Sequence, residues 1–439
     1  MKKVILFGIV GWNIAETTRM IEIAKLAAMD FEVCFASYGG QFNHLVVDSG
    51  FKLINLEPTE SPEKIELMWK IDRGEKYAHP FSIEELTLRV RHELDLFNKI
   101  NPIAIVMGSV LSFPISARVA KIPLVNVIPF ALSRGYLNNN LPIVPEYPIW
   151  LNKIFIKMAF CLPILTKNFS QVAMSYGLPK FKNILSIWEG DYNLLTEIPL
   201  LFKDVHLDNN WKFIGPIYAK LDGDVPLEVI EYIKNSEYPT VYFAMGSSAN
   251  REVLKKVIES FENIPLKIVA PIKSHIEKLD ISIPSNMLVT DWLPAHKVNA
   301  LCDIAVIHGG QETVQTACDS GTPFIGIGMQ PEQSINIENI VRFGAAIRLS
   351  RRNFAKTQFH NSIHELLSNP QYKQKAIELR LESLKINGPH NVADFLKNTF
   401  NHEKECVDIP KTPYTLGHKK NIDMNGEKNL ITFKRSLIK

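Results

Sequence analysis

The chain has 439 residues, 46% hydrophobic and 22% charged, with a formal net charge of +3. That length exceeds one ordinary hydrophobic core and points to two domains, and that composition is that of a globular protein rather than a disordered one. Near-balanced charge gives no electrostatic footprint for a nucleic-acid partner, and no run of about 20 apolar residues offers a membrane span.

From the N-terminus, Met1-Lys2-Lys3 followed by VILFGIV reads as a first strand, residues 4–10, rather than a secretory signal. The apolar run is short and leads into Gly8, Gly11 and a helical segment. Ile14 to Met29 has the apolar spacing of an amphipathic helix, Phe31 to Ala36 is a second strand and Phe51 to Leu56 a third. This alternation predicts an α/β, doubly wound parallel sheet. Gly8 and Gly11 alone do not complete a dinucleotide fingerprint, so a dehydrogenase is discounted. Ser82 with Glu85 forms a capping box ahead of a helix to Ile100. Strands follow at Ile103 to Met107 and Pro123 to Pro129, and Tyr192 to Leu195 is expected to be the last strand of the first domain.

Ala131 to Phe181 breaks the alternation, with Tyr136, Tyr147, Trp150, Phe155, Phe160 and Phe169 among its aromatics. It is either a helical subdomain packed on the core or a greasy cleft. Lys153, Lys157 and Lys167 near Trp150 and Phe155 make residues 149–170 a candidate for peripheral membrane contact. The five cysteines (Cys34, Cys161, Cys302, Cys318, Cys406) lack metal-ligand spacing and fit a reducing, cytoplasmic setting. No metal site and no cofactor are expected.

The second half opens with a strand, Thr240 to Ala244, ending in a glycine-serine turn at Gly246 and Ser247. The most informative stretch lies further on. A buried run, Ile304 to Ile307, ends in His308-Gly309-Gly310; helix-compatible residues continue to Asp319, Gly321-Thr322-Pro323 stops them, and Phe324 to Ile327 is a second buried run. Strand, glycine turn, helix, strand is a βαβ unit. It aims free backbone N–H groups and the positive end of a helix dipole at the crevice, where an anion belongs. Gly309 and Gly310 admit that anion, and His308 and Thr313 can donate to phosphate oxygens. The expected ligand is a diphosphate.

Trp292-x-Pro294, His308-Gly-Gly, Thr313, Gly321-x-Pro323, Glu332-Gln333 and Asn336 together resemble the donor signature of UDP-glycosyltransferase-like enzymes, the plant natural-product, macrolide and glycolipid transferases. The resemblance implies the GT-B fold: two Rossmann-like domains facing each other across a crevice. It implies an acceptor domain at 1–215 and a donor domain at 216–400; beyond these, a lysine-rich stretch with little periodicity reads as a loosely ordered basic tail at 401–439. The resemblance implies a metal-independent, inverting transfer of a hexosyl group from a nucleotide diphosphate sugar, UDP foremost, to a small-molecule or lipid acceptor. Trp292 would take the base. The diphosphate would fall to His308, Gly310 and Thr313, with Gly309 admitting it and Gly246-Ser247 as a second phosphate-facing loop; the sugar hydroxyls would fall to Glu332 and Gln333, and Pro294 and Gln311 are further donor-binding positions. Ala295 replaces the usual Gln, Thr316 the ribose-binding Glu, and Glu332 the usual Asp. The family's catalytic His falls at Trp12-Asn13 and its partner Asp at Gly108-Ser109. Glu16 is the nearest ionisable substitute, so Glu16 and Asn13 are the candidate catalytic residues. A transferase-like auxiliary that binds nucleotide sugars without turnover, or an epimerase, would share the fold.

Overall fold

The computed structural model describes residues 2–401 apart from 73, 74, 77, 140, 143, 144, 146, 162–165, 220–222, 246–250 and 278–280. The predicted basic tail and the Gly246-Ser247 turn therefore lie outside the described residues.

Two parallel sheets organise the chain. The first has seven strands in the order β3-β2-β1-β4-β5-β6-β7: β1 Val4–Ile9, β2 Glu32–Ser37, β3 Lys52–Asn55, β4 Ala104–Met107, β5 Leu124–Ile128, β6 Tyr192–Leu195 and β7 Trp211–Phe213. The second has six, ordered β10-β9-β8-β11-β12-β13: β8 Thr240–Ala244, β9 Lys267–Ala270, β10 Met287–Val289, β11 Ile304–Ile307, β12 Phe324–Gly326 and β13 Ala346–Arg348. The central strands are buried along their whole length, and apolar but for Asn126 of β5, because helices cover both faces. AIVM of β4, LVNVI of β5 and IAVI of β11 are buried at every position, as a parallel sheet requires.

β6 is not the last strand of the first sheet, as the sequence suggested. β7, three residues long, pairs with it from Asn193↔Trp211 to Leu195↔Phe213. The expected capping box is half made: the Ser82 hydroxyl accepts from the Glu85 N–H at 3.1 Å, while the Glu85 carboxylate pairs with Lys64 at 2.8 Å.

Six helices matter for the site: α1 Ile14–Ala27, α2 Ile149–Cys161, α3 Lys167–Ser175, α4 Gln311–Ser320, α5 Pro331–Phe343 and α6 Gly388–Phe400. α6 crosses back to the first sheet, burying Val392 and Leu396 with Ile5, Phe7 and Ile23. Its Asn391 amide donates to the Ile214 carbonyl at 2.9 Å.

In each sheet the strand order reverses once, between β1 and β4 and between β8 and β11. Crevices open beyond the carboxyl ends of the strands at such reversals, because the two flanking connections leave toward opposite faces. The registers set Gly8 opposite Met107 and Ala244 opposite Ile307. Position 108 therefore lies abreast of Ile9, and His308 follows directly beyond the end of β8.

Candidate active site

At the second reversal, β11 passes through His308, Gly309 and Gly310 into α4. Gly309 has φ +83°, and a Cβ there would lie 2.4 Å from Ile337 Cδ1 and 2.8 Å from the Gln333 carbonyl oxygen. Gly309→Ala combines left-handed strain with overpacking against α5 and is expected to cost about 3 kcal/mol. A thermal melt indistinguishable from wild type would refute this. The N-cap of α4 is Gly310, which has no side chain to satisfy the first-turn N–H groups. Those donors and the helix dipole remain available to an anionic ligand.

The His308 imidazole lies over this helix end, with Nε2 only 2.6 Å from where a Gly310 Cβ would stand. Nδ1 faces the Ala244 carbonyl at 3.5 Å, across the strand reversal. Burial lowers the His308 pKa to about 4, so the ring is neutral at physiological pH. The Thr313 hydroxyl donates to the Gly310 carbonyl at 2.8 Å, which ties the helix start to the glycine turn.

α5 supplies the adjoining wall. The Asn336 amide donates to Glu332 Oε1 at 2.6 Å and to the Gly309 carbonyl at 3.2 Å, fixing the Glu332 carboxylate against the turn. Gln333 is directed inward: it is 3% exposed, accepts from the Met329 N–H at 2.9 Å and donates to Gln330 Oε1 at 2.9 Å. Both ends of its amide shape the loop before α5. Trp292, by contrast, is 58% exposed; it follows β10, with Leu293 and Pro294 leading into the next turn, and leaves an aromatic face open for stacking. Thr316, where the family has a ribose-binding Glu, is buried and donates to the Glu312 carbonyl of its own helix at 2.7 Å.

At the first reversal the structure brings Glu16 and Ser109 together. Glu16 Oε1 accepts from the Ser109 N–H at 3.0 Å and from the Val10 N–H at 3.3 Å. The Ser109 hydroxyl also bonds this carboxyl, and burial, the dominant influence, raises its pKa above the ordinary carboxylate value. Asn13 is the N-cap of α1, its side-chain oxygen accepting from the Glu16 N–H at 3.3 Å; it holds the helix start that carries Glu16. Trp12, at the family's histidine position, donates its indole N–H to Glu60 Oε2 at 2.6 Å and meets Trp69 edge-on at 5.0 Å. That wall is aromatic.

Three residues not singled out from the sequence, Arg19, Thr196 and Glu197, join the halves through Gln311. Arg19, buried on α1, donates to Gln311 Oε1 at 2.6 Å. The Gln311 amide nitrogen donates to Thr196 Oγ1 at 2.7 Å and to Glu197 Oε1 at 2.9 Å. The Gln311 side chain is thus a clamp between the first and second sheets, and toward the crevice it offers its main-chain N–H. Burial pushes Glu197 up to about 8, so it is largely protonated at neutral pH. Arg19 also feels the charges of Glu16, Glu332 and Glu312. The spacing of Arg19 from Glu16, one helical turn on a buried face, was the available signal; nothing in the sequence distinguishes Glu197.

The profile of the UDP-glucoronosyl and UDP-glucosyl transferase family matches residues 180–394, which include every one of these second-sheet residues. Over that stretch the chain is of this family. Like its members, it is a glycosyltransferase, moving a sugar from a nucleotide sugar to an acceptor. Among its relatives, a PGL/p-HBAD biosynthesis glycosyltransferase of Mycobacterium tuberculosis (strain ATCC 25177 / H37Ra) is 24% identical over 388 residues, covering 84% of this chain and 85% of that protein. A PGL/p-HBAD biosynthesis rhamnosyltransferase of Mycobacterium bovis (strain BCG / Pasteur 1173P2) is 25% identical over 391 residues, covering 85% and 83%. The spinosyn rhamnosyltransferase SpnG complexed with thymidine diphosphate shares the GT-B fold with a TM-score of 0.64 at 15% identity, over 90% of this chain and all (100%) of that one. Among the described residues of this family member, no helix is long and apolar enough to cross a membrane.

Proposed function

We propose that the protein is an inverting glycosyltransferase that moves a hexosyl or deoxyhexosyl group from a UDP- or dTDP-sugar to a hydroxyl of a lipidic or aromatic aglycone, with the acceptor on the first-sheet side and a division near Gly215. The observation that carries this reading is the pairing of two strand reversals. One carries a histidine over an uncapped helix N-terminus, and the other carries a buried carboxylate with a raised pKa. The α4 N-terminus and His308 meet the charge that develops on the leaving diphosphate. Glu16 takes the proton of the attacking hydroxyl, its raised pKa suiting it to act as a base nearer neutral pH. Glu332, steadied by Asn336, accepts from the sugar hydroxyls. Trp12 and Trp69 offer an apolar wall to the aglycone, in keeping with relatives named for PGL/p-HBAD biosynthesis.

The nucleotide is read from Thr316. A site that hydrogen-bonds a hydroxyl rejects analogues lacking it by several orders of magnitude, because its own polar group is left unpaired. The Thr316 hydroxyl is spent within its helix, so selection for ribose at this position is weak. The spinosyn rhamnosyltransferase complex with thymidine diphosphate is in keeping with this, and the rhamnosyltransferase relative brings a deoxyhexose among the candidate sugars. The test is a panel of UDP- and dTDP-linked glucose and rhamnose, scored for binding and slow hydrolysis. UDP- and dTDP-forms of one sugar are expected to differ by about tenfold or less in affinity. Binding of no nucleotide sugar would refute the whole reading, and tight binding with neither hydrolysis nor transfer would reassign the protein as a non-catalytic relative.

A further inference from the structure

Helix α2 turns an apolar stripe away from the protein. Trp150 is 65%, Ile154 47% and Met158 52% exposed, and their spacing of four stacks them on one helix face. Tyr147, just ahead of the helix and 40% exposed, lengthens the stripe. Large apolar side chains lined up in water mark a surface that is covered in use.

The charge around the stripe identifies what covers it. Residues 147–188 contain five lysines (Lys153, Lys157, Lys167, Lys180, Lys182) and no aspartate or glutamate, in a chain whose whole formal charge is only +3. Lys153 beside the stripe, Lys167 at the start of α3, and Lys180 and Lys182 are all exposed. The latter two lead into the 3-10 turn Ile184–Ile187, against which α2 packs.

We propose that α2 docks the protein on an anionic lipid bilayer, lying in the interface plane. Trp150, Ile154 and Met158 would enter the boundary between headgroups and acyl chains, with the lysines on lipid phosphates. A tryptophan suits that depth, with its apolar ring and polar N–H, and lysines next to an anionic leaflet each add binding free energy. The two alternative occupants carry the wrong charge. A second copy would bring the same lysines face to face. The chain's own residues 402–439 hold eight lysines and arginines against five acids, so they too are repelled.

The Arg348 guanidinium of β13 donates to the Pro145 carbonyl at 3.1 Å, which ties the chain just ahead of Tyr147 to the edge strand of the second sheet. The docking itself rests on the stripe and the lysines, whatever acceptor the enzyme uses.

The experiment is cosedimentation of the full chain with phosphatidylcholine vesicles with and without phosphatidylglycerol, at low and high salt. Wild type is compared with Trp150→Glu/Ile154→Glu and with Lys153→Glu/Lys167→Glu, and nucleotide-sugar binding serves as the check of folding. Wild type is expected to bind the anionic vesicles at least about tenfold better than neutral ones, and less well at high salt. Each double variant should lose about tenfold on the anionic vesicles with donor binding intact. The proposal is overturned if wild type ignores vesicles, binds both kinds alike, or is matched by the double variants. It is also overturned if gel filtration shows a dimer that Trp150→Glu/Ile154→Glu dissolves, or if vesicle binding appears only after residues 402–439 are removed. Those two results assign the stripe to a second copy and to the tail, respectively.

Discussion

His308→Ala is expected to lower turnover of the nucleotide sugar by about two to three orders of magnitude and to abolish the pH dependence of donor binding. The reason lies in the state of the ring before the donor arrives. Burial holds its pKa at about 4, so it carries one proton at pH 7. The Ala244 carbonyl at 3.5 Å can only accept a hydrogen bond, which puts that proton on Nδ1 and leaves a lone pair on Nε2. A phosphate oxygen brought to the Nε2 side needs a donor there. With that tautomer kept, the imidazole gains a proton when the diphosphate binds, since two phosphate charges in a site of low dielectric raise its pKa in the complex. Binding then takes up a proton. Donor affinity rises as pH falls through the pKa of the complex and levels off near the free-protein value of about 4. Calorimetry in two buffers of different ionisation enthalpy reads the uptake directly. His308→Gln supplies an amide donor that does not titrate, so it should recover part of the affinity with a flat pH profile. A wild-type enzyme that binds donor without taking up a proton would show that His308 does not meet the diphosphate as an imidazolium.

The same residue shows why part of this site could be read from the sequence. The β11 run is short and wholly apolar because both faces of a parallel sheet are covered. Gly309 is demanded by a positive φ and by Ile337 pressing on it. Such constraints are local and leave marks on neighbouring residue types. The directions of Gln311 and Gln333 leave none. Gln311 turns to Arg19 on α1 and to Glu197 after β6, partners far away in the chain. Gln333 turns to Met329 and Gln330, a loop contact with no required residue type. β7 escaped notice for a different reason: three residues at a sheet edge carry too little periodicity to stand out beside the turn that follows. In the first half, the pairing of Glu16 with Ser109 depends on β1 and β4 being neighbours, a fact of topology rather than of either segment.

That pairing carries the second large effect. Glu16→Gln is expected to reduce the rate of sugar transfer, and of slow donor hydrolysis, by about a hundredfold or more, with donor affinity unchanged. The glutamine is nearly isosteric, and its carbonyl oxygen can still accept from the Ser109 and Val10 N–H groups that hold Glu16 Oε1; α1 should keep its start. What disappears is the ability to take a proton from the acceptor hydroxyl. The pH profile gives a reading that a merely structural role would not produce. A base must be ionised to work, so the rate climbs with pH through the pKa of Glu16. Burial raises that pKa, and the acid limb of wild type should lie above the range of an ordinary carboxylate. Glu16→Gln removes the limb. Arg19 opposes the upward shift through its nearby positive charge, so Arg19→Met should move the limb to still higher pH while leaving it present. An acid limb that survives unchanged in Glu16→Gln places the base on another group, and an acceptor that ionises by itself becomes the simplest remaining source of the nucleophile.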